Sequence, residues 1–113
     1  MFEMSPATRV YVVAGFTDMR KSFNGLMAAV QHRAKLDPLS GHLFVFCNRH
    51  RNRIKILFWD RSGLWVCAKR LERGRFNWPA SHEEAVELQP GDLWMLLHGL
   101  RMDEASRLEW YRR

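Results

Sequence analysis

The spacing of apolar positions switches between two periods along this chain, and each switch marks an element. Thr8–Val13 is a short run of β-branched and aromatic residues closed by Gly15, which predicts a first strand. From about Asp18 to Ala34 the apolar residues are Met19, Phe23, Leu26, Met27, Val30 and Ala34. Their steps place them on one face of a helix. Thr17 is the expected N-cap, and Asp18 suits the positive end of the helix dipole. Asp37-Pro38-Leu39-Ser40-Gly41 is turn chemistry. His42–Cys47 is apolar and too short for a helix, so it reads as a buried strand. Arg53–Trp59 and Leu64–Leu71 flank Asp60-Arg61-Ser62-Gly63, a type I turn signal, and form an antiparallel pair.

A bulge at Gly63 would give this hairpin a three-residue loop with Trp59 facing Trp65 and Lys55 facing Lys69. Ile54, Ile56, Phe58, Leu64, Val66 and Ala68 then share one core face. Arg53, Lys55, Leu57, Trp59, Trp65, Cys67 and Lys69 share the other. Glu72–Pro79 is irregular and basic, and Ala85–Leu88 reads as a short strand. Pro90 opens a helix carrying Leu93, Leu96, Leu97 and Leu100. Met102, Ala105 and Leu108 sit at helical spacing in the tail. The expected fold is one α+β domain over residues 1–113: an antiparallel meander of four to five strands packed on an N-proximal helix, with a C-terminal helical segment.

Charge changes this picture. There are 18 Lys+Arg against 12 Asp+Glu, a net charge of +6, and the pI is near 10.0. Fourteen of the basic residues are Arg, whose planar fork suits phosphate oxygens. Residues 1–82 carry 14 basic and 5 acidic side chains, whereas residues 83–113 carry 4 and 7. This gradient favours a localised basic surface and a polyanionic partner. Cys47 and Cys67 lie in apolar runs outside any CxxC pair, as expected of small hydrophobes in a reducing cytosol. No stretch approaches a membrane span, and the first residues lack the apolar centre of a secretory signal. The expected location is the cytoplasm.

The densest basic feature is Arg49, Arg51, Arg53 and Lys55. In an extended chain a period of two sets all four on one side. A cationic row beside Trp59 and Trp65 suits DNA, because cations meet phosphates while rings meet bases. The structural alternative is a solvated edge strand. Lys69, Arg70, Arg73 and Arg75 form a second group, the last two flanking Gly74. Arg20 and Lys21 fall in the expected first helical turn, where cations oppose the dipole. An anionic partner or a nearby carboxylate would account for them. Catalysis finds little support. Asp18, Asp37 and Asp60 each have a turn or helix-start role, and Glu72 is the other carboxylate of the basic region after them. The histidines and cysteines show no metal-ligand spacing, no glycine-rich phosphate loop is present, and no serine sits in a nucleophile motif. No catalytic residue, metal or cofactor is expected.

Four segments agree with one known family in order and spacing. They are Val10–Val12 with Gly15-Phe16-Thr17-Asp18-Met19-Arg20-Lys21-Ser22-Phe23-Asn24-Gly25-Leu26, then Asp37–Phe46, then Arg53–Asp60, and last Lys69–Phe76. Over about residues 9–100 the chain resembles the TnpB accessory proteins of insertion-sequence family 66. The resemblance implies a protein encoded in a bacterial insertion element beside a larger DDE-type transposase. It implies support of transposition without cutting or joining DNA, with DNA binding as the expected role. The family supplies no catalytic residues. Two features depart from its pattern: Phe16 stands where a small residue or Pro is usual, and Met102–Arg113 is not recognisable. The competing reading is a protein-interaction module that docks on the transposase or a sister accessory protein through Trp59, Trp65, Trp78 and Trp94.

Overall fold

A computed structural model describes residues 5–79 and 83–98. Five strands form one sheet: β1 (Val10–Val13), β2 (Leu43–Cys47), β3 (Arg53–Trp59), β4 (Leu64–Arg70) and β5 (Ala85–Leu88). Two helices accompany them, α1 (Phe23–His32) between β1 and β2, and α2 (Pro90–Leu97) after β5. The spatial order is β4-β3-β2-β1-β5. The α+β class and both helices match expectation, and β2, β3 and β4 form the antiparallel meander. β1 instead pairs parallel with β2, and β5 adds antiparallel to its other side, so the sheet is mixed. A parallel pair needs a crossover connection, and α1 lies in it.

Both faces of this sheet are buried. Every residue of β2 is buried, and its side chains alternate between two apolar clusters. Phe44 and Phe46 join Val13 and Leu57 beneath Leu26, Ala29, Val30 and Ala34 of α1 and its C-terminal extension. Leu43, Val45 and Cys47 join Val10, Val12, Ile54 and Ile56 on the other face, with Leu93 and Leu96 of α2 and with Phe76. Burial pushes the Cys47 thiol up to about 11, so it acts as a packing group.

Helix α1 is shorter than the apolar period suggests. Asp18 organises a turn ahead of it: its Oδ1 accepts from the Arg20 amide at 2.9 Å, and its carbonyl accepts from the Lys21 amide at 3.1 Å. Ser22 takes the N-cap position. Thr17 is buried instead; its amide donates to the Cys47 carbonyl at 2.8 Å, and its hydroxyl accepts from Arg33 at 3.0 Å. Arg20 and Lys21 therefore precede the helix rather than lie in its first turn. Helix α2 starts as expected, with Pro90 in the first turn, and Gln89 and Asp92 form a capping box. Leu100 and the expected tail helix lie outside the described residues.

The β3–β4 register is one residue away from the expected one. Trp59 pairs with Leu64, Leu57 with Val66, Lys55 with Ala68 and Arg53 with Arg70. The turn decides this. Asp60 Oδ1 accepts from the Ser62 amide, the Ser62 hydroxyl and the Gly63 amide at 3.0, 3.0 and 2.9 Å. Arg61, not Gly63, adopts positive φ (82°), so the loop holds four residues and no Gly63 bulge forms. Leu64 and Val66 consequently pack on the α1 side, with Leu57. A one-residue slip exchanges the faces of a whole strand. Leu57 is fully buried, so Leu57→Ala is expected to cost about 2–5 kcal/mol in urea unfolding. A cost below about 1 kcal/mol would place that side chain on a solvent face instead.

Candidate nucleic-acid interface

The β2–β3 connection gathers arginines at one end of the sheet. Asn48 closes this loop: its Oδ1 accepts from the Asn52 and Arg53 amides, both at 3.0 Å, and its Nδ2 donates to Asn52 Oδ1 at 2.7 Å. Within it Arg51 has φ 57°. The residues are thus folded into a turn, and the expected straight row from Arg49 to Lys55 does not exist. Only Arg53 and Lys55 lie on β3. The segment after β4 docks on the same loop. The Leu71 amide donates to the Asn52 carbonyl at 2.8 Å, and the Phe76 amide donates to the Arg51 carbonyl at 2.6 Å. Phe76 is fully buried and anchors the segment, with Gly74 in the left-handed region between exposed Arg73 and Arg75.

The twelve cations and tryptophans singled out by the sequence divide into distinct groups. Lys55 donates to the Lys21 carbonyl at 2.7 Å and lies half-buried beside α1. Lys69 donates to the Leu97 carbonyl at 2.6 Å, placing a cation at the negative end of α2. Arg70 pairs with Glu72 at 3.0 Å, and Arg20 pairs with Asp18 at 2.6 Å. Asp18 is the nearby carboxylate that accounts for Arg20, and the hydrogen bonds from that guanidinium hold its carboxyl down at about 2. Arg49, Arg53, Arg73 and Arg75 are exposed and make no side-chain hydrogen bond or ion pair with any described residue. Arg51 is half-buried, and Lys21 is exposed.

Arg53 and Arg70 stand directly opposite one another in the β3–β4 ladder. Like charges in that position destabilise a sheet. Glu72 engages Arg70 alone. Two clefts meet at Arg53 and Met19. One, of about 610 Å³, is lined by Phe16, Asn48, Arg49, His50 and Asn52 among others. The other, of about 370 Å³, runs past Lys55, Lys69 and Arg70.

Trp59 and Trp65 are not beside these arginines. Trp59 ends β3, six residues and roughly 20 Å from Arg53. Trp65 pairs with Phe58, so the two indoles point to opposite faces. Both line a separate cleft of about 810 Å³ with Leu39, His42 and Phe58. The face on which Arg53, Lys55, Leu57 and Trp59 sit is covered at its middle by α1, and the expected basic, tryptophan-bearing sheet face is split into two ends. Trp78 donates to the Gly15 carbonyl at 3.0 Å, and Trp94 lies 4.5 Å from the His98 ring. Phe16, 46% exposed at the arginine end, is the aromatic residue that sequence reasoning missed. Its signal was there as a departure from the family pattern.

Among the described residues, no three or more His, Cys, Asp or Glu side chains come together as a metal-binding group. No helix among them is long and apolar enough to cross a membrane.

The family described as IS66 Orf2-like protein matches residues 8–107. This chain belongs to that family. The match spans both helices and all five strands, the arginine end included. IS66 Orf2-like proteins are accessory proteins of insertion sequences. The chain is similar to the Sinorhizobium fredii protein y4hO, 42% identical over 92 residues, which cover 81% of this chain and 80% of that one. It is also similar to y4jC of the same organism, 32% identical over 107 residues, covering 95% and 92% of the two chains. No solved structure matches this IS66 Orf2-like protein.

Asp60 ties the tryptophan end together. The Trp65 indole donates to its Oδ2 at 2.8 Å, and with the Ser62 and Gly63 donors this lowers the carboxyl from 3.8 to about 2. The fold favours the ionised form, so this contribution is present above pH 3.8 and is lost as pH falls through about 2. Carboxyl NMR is expected to show Asp60 titrating near 2, and Trp65→Phe is expected to raise that value. An unchanged midpoint in Trp65→Phe would remove the indole as the main cause.

Proposed function

We propose that this IS66 Orf2-like protein is a non-catalytic factor that supports transposition by holding DNA against the arginine end of its sheet. The observation that carries this reading is the facing pair Arg53 and Arg70, with Arg49 on the cleft that Arg53 shares and the segment of Arg73 and Arg75 docked on the Asn48–Asn52 loop. A sheet built for stability alone avoids such a pair, and a polyanion turns the repulsion into attraction. The exposed guanidiniums suit phosphate oxygens, which give affinity and register rather than base choice. The non-catalytic part rests on the work the carboxylates already do: Asp18 holds Arg20, Asp60 builds the hairpin turn, Asp37 accepts the Leu39 amide and Glu72 holds Arg70. The setting is the bacterial cytoplasm, where the element ends and the DDE-type transposase meet. No cofactor enters the proposal.

A second reading concerns the opposite end. Trp65 is 45% exposed and Leu39 46% exposed, and both line the cleft with Trp59. This patch suits contact with the transposase or a sister accessory protein, since tryptophans anchor interfaces. Trp78 and Trp94 are half-buried and engaged within the fold, and they drop out of that role. Co-purification with the transposase that survives high salt and nuclease treatment, and fails in Trp65→Ala, would favour this contact.

The DNA reading is tested by binding to element-end DNA across a salt series. The combined substitution Arg49→Ala, Arg53→Ala, Arg75→Ala is expected to weaken binding and to flatten the log–log salt slope by roughly 2–3, one phosphate contact per arginine. A slope unchanged by the triple substitution would remove these residues as phosphate contacts.

A further inference from the structure

We infer that the arginine end takes single-stranded DNA, with the Phe16 ring stacking on one unpaired base. This rests on the DNA-binding reading above and names the form of DNA that the site prefers. Phe16 belongs to neither apolar cluster of the fold. It is 46% exposed, and it lines the 610 Å³ cleft together with Arg49, His50 and Arg53. That cleft falls within the roughly 300–1,000 Å³ range of ligand pockets. An exposed ring outside both clusters, set on a cleft wall with Arg49, Arg53, Asn48 and Asn52, has the chemistry of a base-stacking platform beside a phosphate track. Paired bases keep their faces inside the duplex stack, so only an unpaired base offers its face to such a ring.

The ring is also held in place. On one side Gly15 adopts φ 79°, and its carbonyl accepts from the Trp78 indole at 3.0 Å. On the other, the buried Thr17 amide donates to the Cys47 carbonyl at 2.8 Å. Arg33 spans both flanks, donating to the Ala14 carbonyl at 2.5 Å and to the Thr17 hydroxyl at 3.0 Å. These bonds fix the backbone on either side of Phe16 while leaving its side chain outside. The one carboxylate on the rim of the cleft, Asp18, is occupied by Arg20 through both oxygens. Its repulsion toward an approaching phosphate is thereby offset. Arg49 and Arg53, by contrast, have no competing partner among the described residues.

The test compares a labelled thymidine oligonucleotide of about 12 nucleotides with a duplex of matching length, at one salt concentration and with the full chain. The wild-type protein is expected to bind the single strand more tightly. Phe16→Ala is expected to lose roughly 5- to 30-fold for the single strand and to keep its duplex affinity. Phe16→Trp is expected to restore single-strand binding, and the fluorescence it adds should be quenched by the oligonucleotide and not by the duplex. Equal loss on both DNA forms, or no loss on the single strand, overturns the stacking role. Duplex binding at least as tight as single-strand binding, and dependent on Arg49 and Arg53, overturns the single-strand inference while the DNA reading stands. Absence of binding to either form overturns both.

Discussion

The constraint on which this structure depends is the burial of β2 on both faces. Five consecutive apolar residues cannot alternate between core and water, so each face of the sheet must be covered. Helix α1 covers one side and α2, with Phe76, covers the other. Little of the flat sheet is left for a ligand. Polar and charged chemistry is displaced to the two ends of the strands, where loops emerge. One end collects arginines around Asn48–Asn52, and the other collects tryptophans around Asp60–Gly63. Side chains that a linear reading places together are separated by the length of a strand.

How each cation is used follows from its distance to a helix. Lys55 and Lys69 lie on β3 and β4, and each reaches a main-chain carbonyl of the layer above it. Their long stems cover apolar surface while the ammonium serves as a clasp between layers. Arg49, Arg53, Arg73 and Arg75, in loops and at a strand end, hold nothing of the kind among the described residues. The same sequence feature, a basic residue in or near a strand, therefore has two fates. The layer packed over it selects between them.

Much of the architecture was legible because it rests on local chemistry. The five strands and both helices follow from period, turn residues and the Pro90 start, and the buried strand expected over His42–Cys47, found at Leu43–Cys47, was readable from an apolar run too short for a helix. The β3–β4 register was not legible. The expectation used one clean core face as its criterion, and that criterion fails when Leu57, Leu64 and Val66 have a second core to enter. The turn then decides, through Asp60 and the positive φ of Arg61, and an arginine gives no sequence signal of that conformation. The arginine row failed for a similar reason: Arg51 turns the chain where alternation assumed it extended. The start of α1 was misplaced because Met19 continues the helical period while packing from a turn. Of the candidate site, the residue types were readable and their company was not. The segment carrying Arg73 and Arg75 docks on the Asn48–Asn52 loop through main-chain bonds from Leu71 and Phe76, which no side-chain pattern announces.

The placing of Arg53 opposite Arg70 in the β3–β4 ladder carries a consequence for the protein when it is alone. Whatever repulsion the Glu72 pairing with Arg70 leaves between them is a cost of the folded state, and mobile anions screen it. Added salt should therefore act in two directions at once, loosening any grip on a nucleic acid while steadying the unoccupied fold. Occupancy and structural integrity become thermodynamically linked, because whatever neutralises that pair strengthens the end of the β3–β4 ladder. An anion bound at that pair would make the fold more durable, and its release would make the fold less so.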